Sequence, residues 1–225
     1  AETGHEWIGW LDDDEVPHTR WLVDMLETQT ATNADVVSGP SKPIYEPDAA
    51  QWIIDAGPFD RERFTTGQSF KFIHARTSGV ILRASATPPE GFDNRLALVG
   101  GEDRVFFTRM HRSGSSFVWD DRAVVDEWVP TSRVSLNWVL RRWFRIGVTR
   151  SLTLLYLDDP SLLRRLRRVA GGLGMGVKGV AGMLFAAPKG RSAILAATRL
   201  ALLGFGASYG ALGLRFREYR RTHGQ

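Results

Sequence analysis

The apolar positions of this chain fall into short runs in its first half and long stripes in its second. Trp7-Ile8-Gly9-Trp10-Leu11 is a run of that kind, and it stops at four acids, Asp12-Asp13-Asp14-Glu15. The pattern is that of a buried strand delivering carboxylates at its C-terminal end, the edge at which open α/β sheets bind ligands. Pro17 then predicts a helix over about 17–30, with Trp21, Leu22, Met25 and Leu26 on one face. A second strand and turn are expected over 34–40, and another core strand over 77–83. The Pro- and Gly-bearing stretch 41–70 reads as long loops, with a short helix near 48–56. Gly100-Gly101-Glu102-Asp103 leads into a helix over about 102–113 with Val105, Phe106 and Met110 on one face. Strands are expected over 115–119 and 123–126, and an amphipathic helix carrying five arginines over 132–150.

After Asp158-Asp159-Pro160 the pattern changes. A basic stretch, Leu162–Val169, precedes two Gly/Ala/Leu-rich stretches over about 169–187 and 193–214, separated by Pro188–Ser192. Each is about as long as a bilayer span needs, and each carries one charge, Lys178 or Arg199. Glycines 172, 176 and 179, and 204, 206 and 210, would permit close helix–helix contact. We therefore expect an α/β domain over 1–160 and a basic helical tail over 161–225.

Charge sharpens that division. The net charge of +4 hides 17 Lys/Arg against 24 Asp/Glu in residues 1–160, and 12 Lys/Arg against the single acid Glu218 in residues 161–225. An acidic body with a basic, apolar tail suits a domain tied to an anionic surface. In the tail the arginines are interleaved with Leu, Gly and Ala rather than with aromatic stacking platforms, which favours an anionic membrane surface over nucleic acid. An interfacial helix with a hairpin on the bilayer, a two-span hairpin with basic flanks in the cytoplasm and a soluble appendage all fit this pattern. Hydrophobic residues make up 43% and charged residues 24% of the 225 positions, the composition of a chain that buries a core. Cys is absent, which excludes disulfides, thiolate metal sites and a cysteine nucleophile.

Three clusters could carry chemistry. Asp12 and Asp14, one residue apart at a strand end, suit a hard divalent cation such as Mg²⁺ or Mn²⁺, with coordination positions left for a diphosphate. The same acids would equally suit an acidic turn capping the next helix. In Gly100-Gly101-Glu102-Asp103, the glycines let backbone approach a ligand, and a carboxylate could act as general base; a helix cap explains the same letters. Arg141, Arg142, Trp143 and Arg145 could grip a diphosphate, because guanidinium groups bind phosphate oxygens in bidentate fashion, or could form a solvated helix face. The five histidines show no metal-ligand spacing, and the acidic run lacks the glycine of an EF-hand loop. Asp12-x-Asp14 faintly matches a phosphoaspartyl phosphatase, but Lys is absent between Lys71 and Lys178, where that chemistry would need one.

WIGWLDDDEVPHTRWL, DVVSGPSKPIYE, RTSGVILR, GFDNRLALVGGEDRVFFTRMHRSG and EWVPTSRVSLNWVLRRWFRIG follow one another in an order that resembles family 2 glycosyltransferases of the GT-A fold. The resemblance is to the bacterial exopolysaccharide, succinoglycan-biosynthesis type, and covers about residues 1–150. It implies a partial GT-A, Rossmann-like domain followed by a membrane-associating tail. It implies metal binding by Asp12 and Asp14, and a catalytic base at Asp103 with Glu102 orienting the acceptor or sharing that role. It also implies diphosphate contacts from Arg142 and Arg145, beside Trp143, Gly100 and Gly101. Glu127 stands where related enzymes carry a further metal-site residue, often His. The implied reaction is inverting transfer from a nucleotide-sugar donor to a saccharide or lipid-linked saccharide acceptor, at the cytoplasmic face of the bacterial inner membrane. Two departures stand out: eleven residues precede Asp12, where the family has a nucleotide-binding β-α-β half, and Gly79 replaces the Asn of the family's RTGN. The expectation is the C-terminal part of such an enzyme, or an inactive membrane-associated remnant that acts by binding.

Overall fold

The computed structural model describes residues 4–96, 100–158 and 160–216. The chain separates into two compact units. One holds residues 1–45, 60–93 and 102–129; the other holds 46–59, 94–101 and 130–225.

The first unit is mixed α/β, as expected. Its larger sheet has the order β1 (Trp7–Trp10), β5 (Val80–Arg83), β3 (Val36–Ser38), β6 (Phe117–Trp119). Only the β3–β6 pair is parallel among these neighbours. Alternate residues of the strands enter two separate cores. Val36, Val80, Leu82, Phe117 and Trp119 meet Phe106, Phe107 and Met110 of α3 (Glu102–Arg112). Val37, Ile81 and Val118 meet Trp21 and Met25 of α1 (Trp21–Thr32). A sheet buried on both faces explains why these strands read as continuous apolar runs.

The smaller sheet has the order β2 (Glu15–Pro17), β7 (Val125–Val129), β4 (Ser41–Tyr45). Here the structure departs from the sequence-based expectation. Pro17 does not open the helix; it ends an edge strand, where its missing N–H costs no ladder hydrogen bond. The helix begins at Trp21. Residues 41–45, expected as loop, form a strand parallel to β7.

The second unit is helical. It contains α2 (Gln51–Ile54), α4 (Leu136–Asp158), α5 (Leu162–Ala186) and α6 (Arg191–Ala211). α4 runs eight residues beyond the expected 150, and it packs with the tail helices, in the unit whose last and longest segment begins at residue 130. The change in composition at 160 and the change in packing at 130 are therefore different features of the chain. Within this unit α6 lies against both α4 and α5. The glycines expected to permit close contact do so toward two partners. A methyl group on Gly172, Gly176 or Gly179 would collide with α6, whereas one on Gly206 or Gly210 would collide with α4.

Candidate functional site

The acidic run forms a turn between β1 and β2. Trp10, at the end of β1, packs edge-on against Phe106 at 5.2 Å and so fixes where that turn starts. The backbone N–H of Asp12 donates to a Glu15 carboxylate oxygen at 3.0 Å, and the Glu15 N–H donates back to the Asp12 carbonyl at 3.1 Å. The Trp128 N–H donates to the Asp14 carbonyl at 2.8 Å. The turn is thus pinned from both sides, and Asp12 and Asp13 project outward while Glu15 is buried.

Beneath the turn lies a second layer of carboxylates. Glu15 and Glu127 are direct partners across the β2–β7 pair, and both are buried. Like charges placed opposite each other repel, and the structure compensates them with Arg61. One guanidinium nitrogen donates to Glu127; another donates to the Ser78 hydroxyl at 3.1 Å. Ser78 in turn donates to Glu15, and Ser41 donates to Glu127 at 2.8 Å. Asp12 keeps solvent access, yet it is crowded on one side. That partial burial, with the nearby charges of Glu15, Asp14 and Glu127, pushes its carboxyl up to about 6 against the opposing pull of Arg61. The turn therefore carries more negative charge than its protein neighbours neutralise.

Asp12 and Asp14 fit a divalent cation in one specific sense. Among the described residues, no three His, Asp or Glu side chains converge as a ready-made metal cage. Mg²⁺-like ions are commonly held by one or two carboxylates plus substrate phosphates. An electronegative turn offering two acids, with Glu15 and Glu127 already committed to Ser and Arg donors, matches that mode. Beside this layer opens a polar cleft of about 380 Å³, including space open to solvent, lined by Ser38, Ser41, Arg61, His74, Arg76 and Ser78.

The remaining sequence candidates fall in both units. Glu102 and Asp103 occupy the first turn of α3, half-buried. There the unpaired backbone N–H groups of a helix start favour carboxylates, and Asp103 accepts the Arg104 N–H at 2.6 Å. Gly100 and Gly101 belong to the helical unit, both at positive φ (79° and 95°). Arg145 lies so close to Gly100 that a side chain on Gly100 would strike its guanidinium, so two residues named from separate motifs meet here. Arg142 rests on the faces of Phe59 and Trp138, 5.2 and 5.0 Å from the ring centroids. Trp143, at 1% exposure, is part of the helical core. Sequence reasoning missed Arg61, Ser78 and Ser41. Glu15 stood in the acidic run without being singled out, and its burial was the missing signal.

Comparison with known proteins adds one informative match. Over 146 residues the chain is 36% identical to the succinoglycan biosynthesis protein ExoM of Rhizobium meliloti (strain 1021), covering 64% of this chain and 47% of ExoM. The motif resemblance to the succinoglycan-biosynthesis type is borne out by this relative. The chain spans about half the length of the curated relative it matches. No protein-family profile matches it. Crystal structures of S. aureus TarS 1–349 align over 98% of the chain for TarS alone (11% identity, TM-score 0.38) and 96% for its complex with UDP-GlcNAc (11%, 0.39), in both cases covering 70% of TarS.

Proposed function

We propose that the chain is the acceptor-side part of a glycosyltransferase of bacterial exopolysaccharide or cell-surface synthesis, using a nucleotide-sugar donor and a saccharide or lipid-linked saccharide acceptor. The observation that carries this reading is the 36% identity to ExoM, a succinoglycan biosynthesis protein. The electronegative Asp12–Glu15 turn supports it. So does the order of the motifs along the chain, from the acidic strand end to the arginine-bearing helix α4.

In this reading the domain is of the GT-A type, and Asp12 and Asp14 hold Mg²⁺ or Mn²⁺. Such an ion would neutralise the diphosphate charge that grows as the leaving group departs. Asp103 accepts the proton of the acceptor hydroxyl, and Glu102 orients that hydroxyl. The acceptor oxygen forms its bond to the anomeric carbon from the face opposite the diphosphate. The carbon–oxygen bond to the diphosphate breaks, and the electron pair leaves with the nucleoside diphosphate. The configuration inverts. Arg142 and Arg145 add positive charge for that leaving group, at which point Arg142 would exchange its aromatic faces for phosphate oxygens. Residues 161–225 associate with an anionic membrane surface at the cytoplasmic face, beside a membrane-borne acceptor.

Isothermal titration with UDP and other nucleoside diphosphates, with and without Mn²⁺, tests the donor half of the proposal. Metal-dependent binding that is lost in Asp12→Ala and Asp14→Ala is the expected result. Binding that ignores both the metal and these substitutions would overturn the metal assignment. Turnover by Asp103→Asn at the unsubstituted rate, in a protein competent for transfer, would overturn the base assignment.

A further inference from the structure

We propose that α5 is a monotopic membrane helix, lying in the plane of an anionic bilayer, and that the α5–α6 hairpin does not span it. The inference rests on the membrane association proposed above and specifies its geometry.

Both helices are long and apolar enough to cross a membrane, so length does not decide. Packing does. α6 lies between two helices: its Gly204 faces Gly172 and Gly176 of α5, while Gly206 and Gly210 face Phe144 and Val148 of α4. Ser151 of α4 donates to the Ala207 carbonyl at 2.7 Å, and Ser208 of α6 donates to the Val169 carbonyl of α5 at 2.9 Å. The stretch of α4 seated on α6, from Phe144 to Ser151, contains Arg145 and Arg150 and directly follows Arg141 and Arg142. A spanning α6 would draw that arginine-bearing helix toward hydrocarbon, where a cation is costly to hold near the bilayer centre.

α5 is different, because one side of it is uncovered. Its circumference divides into three strips at the period of about 3.6 residues per turn. Gly172, Gly176 and Gly179 face α6. Leu162, Leu166, Leu173, Val177, Val180 and Leu184 form an apolar strip, with Leu166, Val177 and Leu184 at 53, 64 and 75% exposure. Arg164, Arg167, Arg168 and Lys178 form the strip beyond it, all exposed. Lys178 stands near the middle of the helix, where a span would bury it and an in-plane helix leaves it among headgroups. An apolar strip bordered by cations is the pattern of an interfacial helix. Residues 161–225 carry 12 Lys/Arg and one acid, and that charge selects anionic lipid as the occupant of the uncovered face.

The cysteine-free sequence makes the test direct. The 225-residue chain, carrying Val177→Cys with an environment-sensitive fluorophore or Lys178→Cys left unlabelled, is mixed with phosphatidylglycerol/phosphatidylethanolamine vesicles. The expected result has three parts. The protein pellets with the vesicles. Quenchers placed high on the acyl chain dim the Val177 label more than quenchers at the bilayer centre. A membrane-impermeant maleimide still modifies Lys178→Cys. Replacing Arg164, Arg167 and Arg168 with Gln should lower partitioning about a hundredfold, taking about 1 kcal/mol for each surface cation. Deep quenching at Val177 with protection of Lys178→Cys would overturn the in-plane geometry and leave membrane association standing. Failure to pellet would overturn both. A stable dimer in vesicle-free solution that buries the Val177 label would assign the apolar strip to a second copy and overturn the lipid assignment.

Discussion

Arg61 bears a measurable share of the stability of the α/β unit. Its side chain is 18% exposed and that of Glu127 10%, so the pair is largely removed from water. Glu15 sits directly across the β2–β7 pair from Glu127. Two carboxylates roughly 5 Å apart at an effective dielectric of about 20 repel by about 3 kcal/mol; Arg61 donates to Glu127 directly and to Ser78, which in turn donates to Glu15. Arg61→Met keeps most of the apolar stem and removes the guanidinium. Breaking a buried pair by removing one partner costs about 3–5 kcal/mol, and the residual exposure of Arg61 points to the lower end, about 3 kcal/mol. Glu127→Gln in that background removes the uncompensated charge while keeping an acceptor for the Ser41 hydroxyl. The double variant should recover about 2 kcal/mol of the loss. The assay is urea unfolding followed by tryptophan fluorescence, with the urea dependence checked to be unchanged across the cycle. A loss below about 0.5 kcal/mol for Arg61→Met, or additivity of the two substitutions within about 0.5 kcal/mol, would refute the coupling.

Three further outcomes follow from the packing and the charges. Asp120 is fully buried; burial alone would raise its carboxyl, but hydrogen bonds from Arg122 and Thr28 together hold it below the usual range. Its contribution to stability is therefore complete above the ordinary carboxylate value of about 4 and is lost below it, as pH falls through the depressed native value, and an acid titration of Asp120→Asn should lack that step. Tyr45 is pushed up to about 12 by burial, then by Asp60 and Glu127; its stabilisation is present below pH 10 and lost as pH rises toward 12, and Tyr45→Phe should remove the upper limb in a spectrophotometric titration near 295 nm. In the helical unit, Gly204→Leu should lower stability by about 1–3 kcal/mol or more, because its Cβ would meet the backbone of Gly176. Gly171→Ala, which meets nothing within 4 Å, should raise stability by up to about 1 kcal/mol; thermal unfolding compares the two.

The sequence announced those parts of the molecule whose cause is local. The apolar runs at Trp7–Leu11, 34–37 and 77–83 became strands because both faces of the sheet are covered, which turns periodicity into continuity. The acids at 12–15 announced a carboxylate turn because they follow directly on such a run, and the turn closes through hydrogen bonds between Asp12 and Glu15. What stayed hidden depends on residues distant in the chain. Glu15 and Glu127 oppose each other only because β2 pairs with β7, and Arg61 reaches them from a segment with no periodicity of its own. Pro17 misled because a proline suits the first turn of a helix and the end of an edge strand equally well. The choice came from β7, whose pairing with Glu15–Pro17 extends into the hydrogen bond from the His18 N–H to the Val124 carbonyl.

The tail glycines were legible as packing positions, but the partners of each were not, and those partners change what the tail can do alone. Gly206 and Gly210 fit against Phe144 and Val148 of α4, and Gly147 of α4 fits against α6. Val148 and Leu152 are buried there, with Tyr209 of α6 packed beside them. Removing residues 161–225 would therefore do more than delete the proposed membrane anchor. It would uncover one side of α4, the helix that also carries Arg142 and Arg145. A truncation at 160 confounds membrane attachment with the support of those arginines, whereas substitutions on the uncovered strip of α5, such as Val177→Asp, separate them. If α6 couples α5 to α4 as this packing requires, such variants leave vesicles while retaining the helical content and thermal stability of the unsubstituted chain.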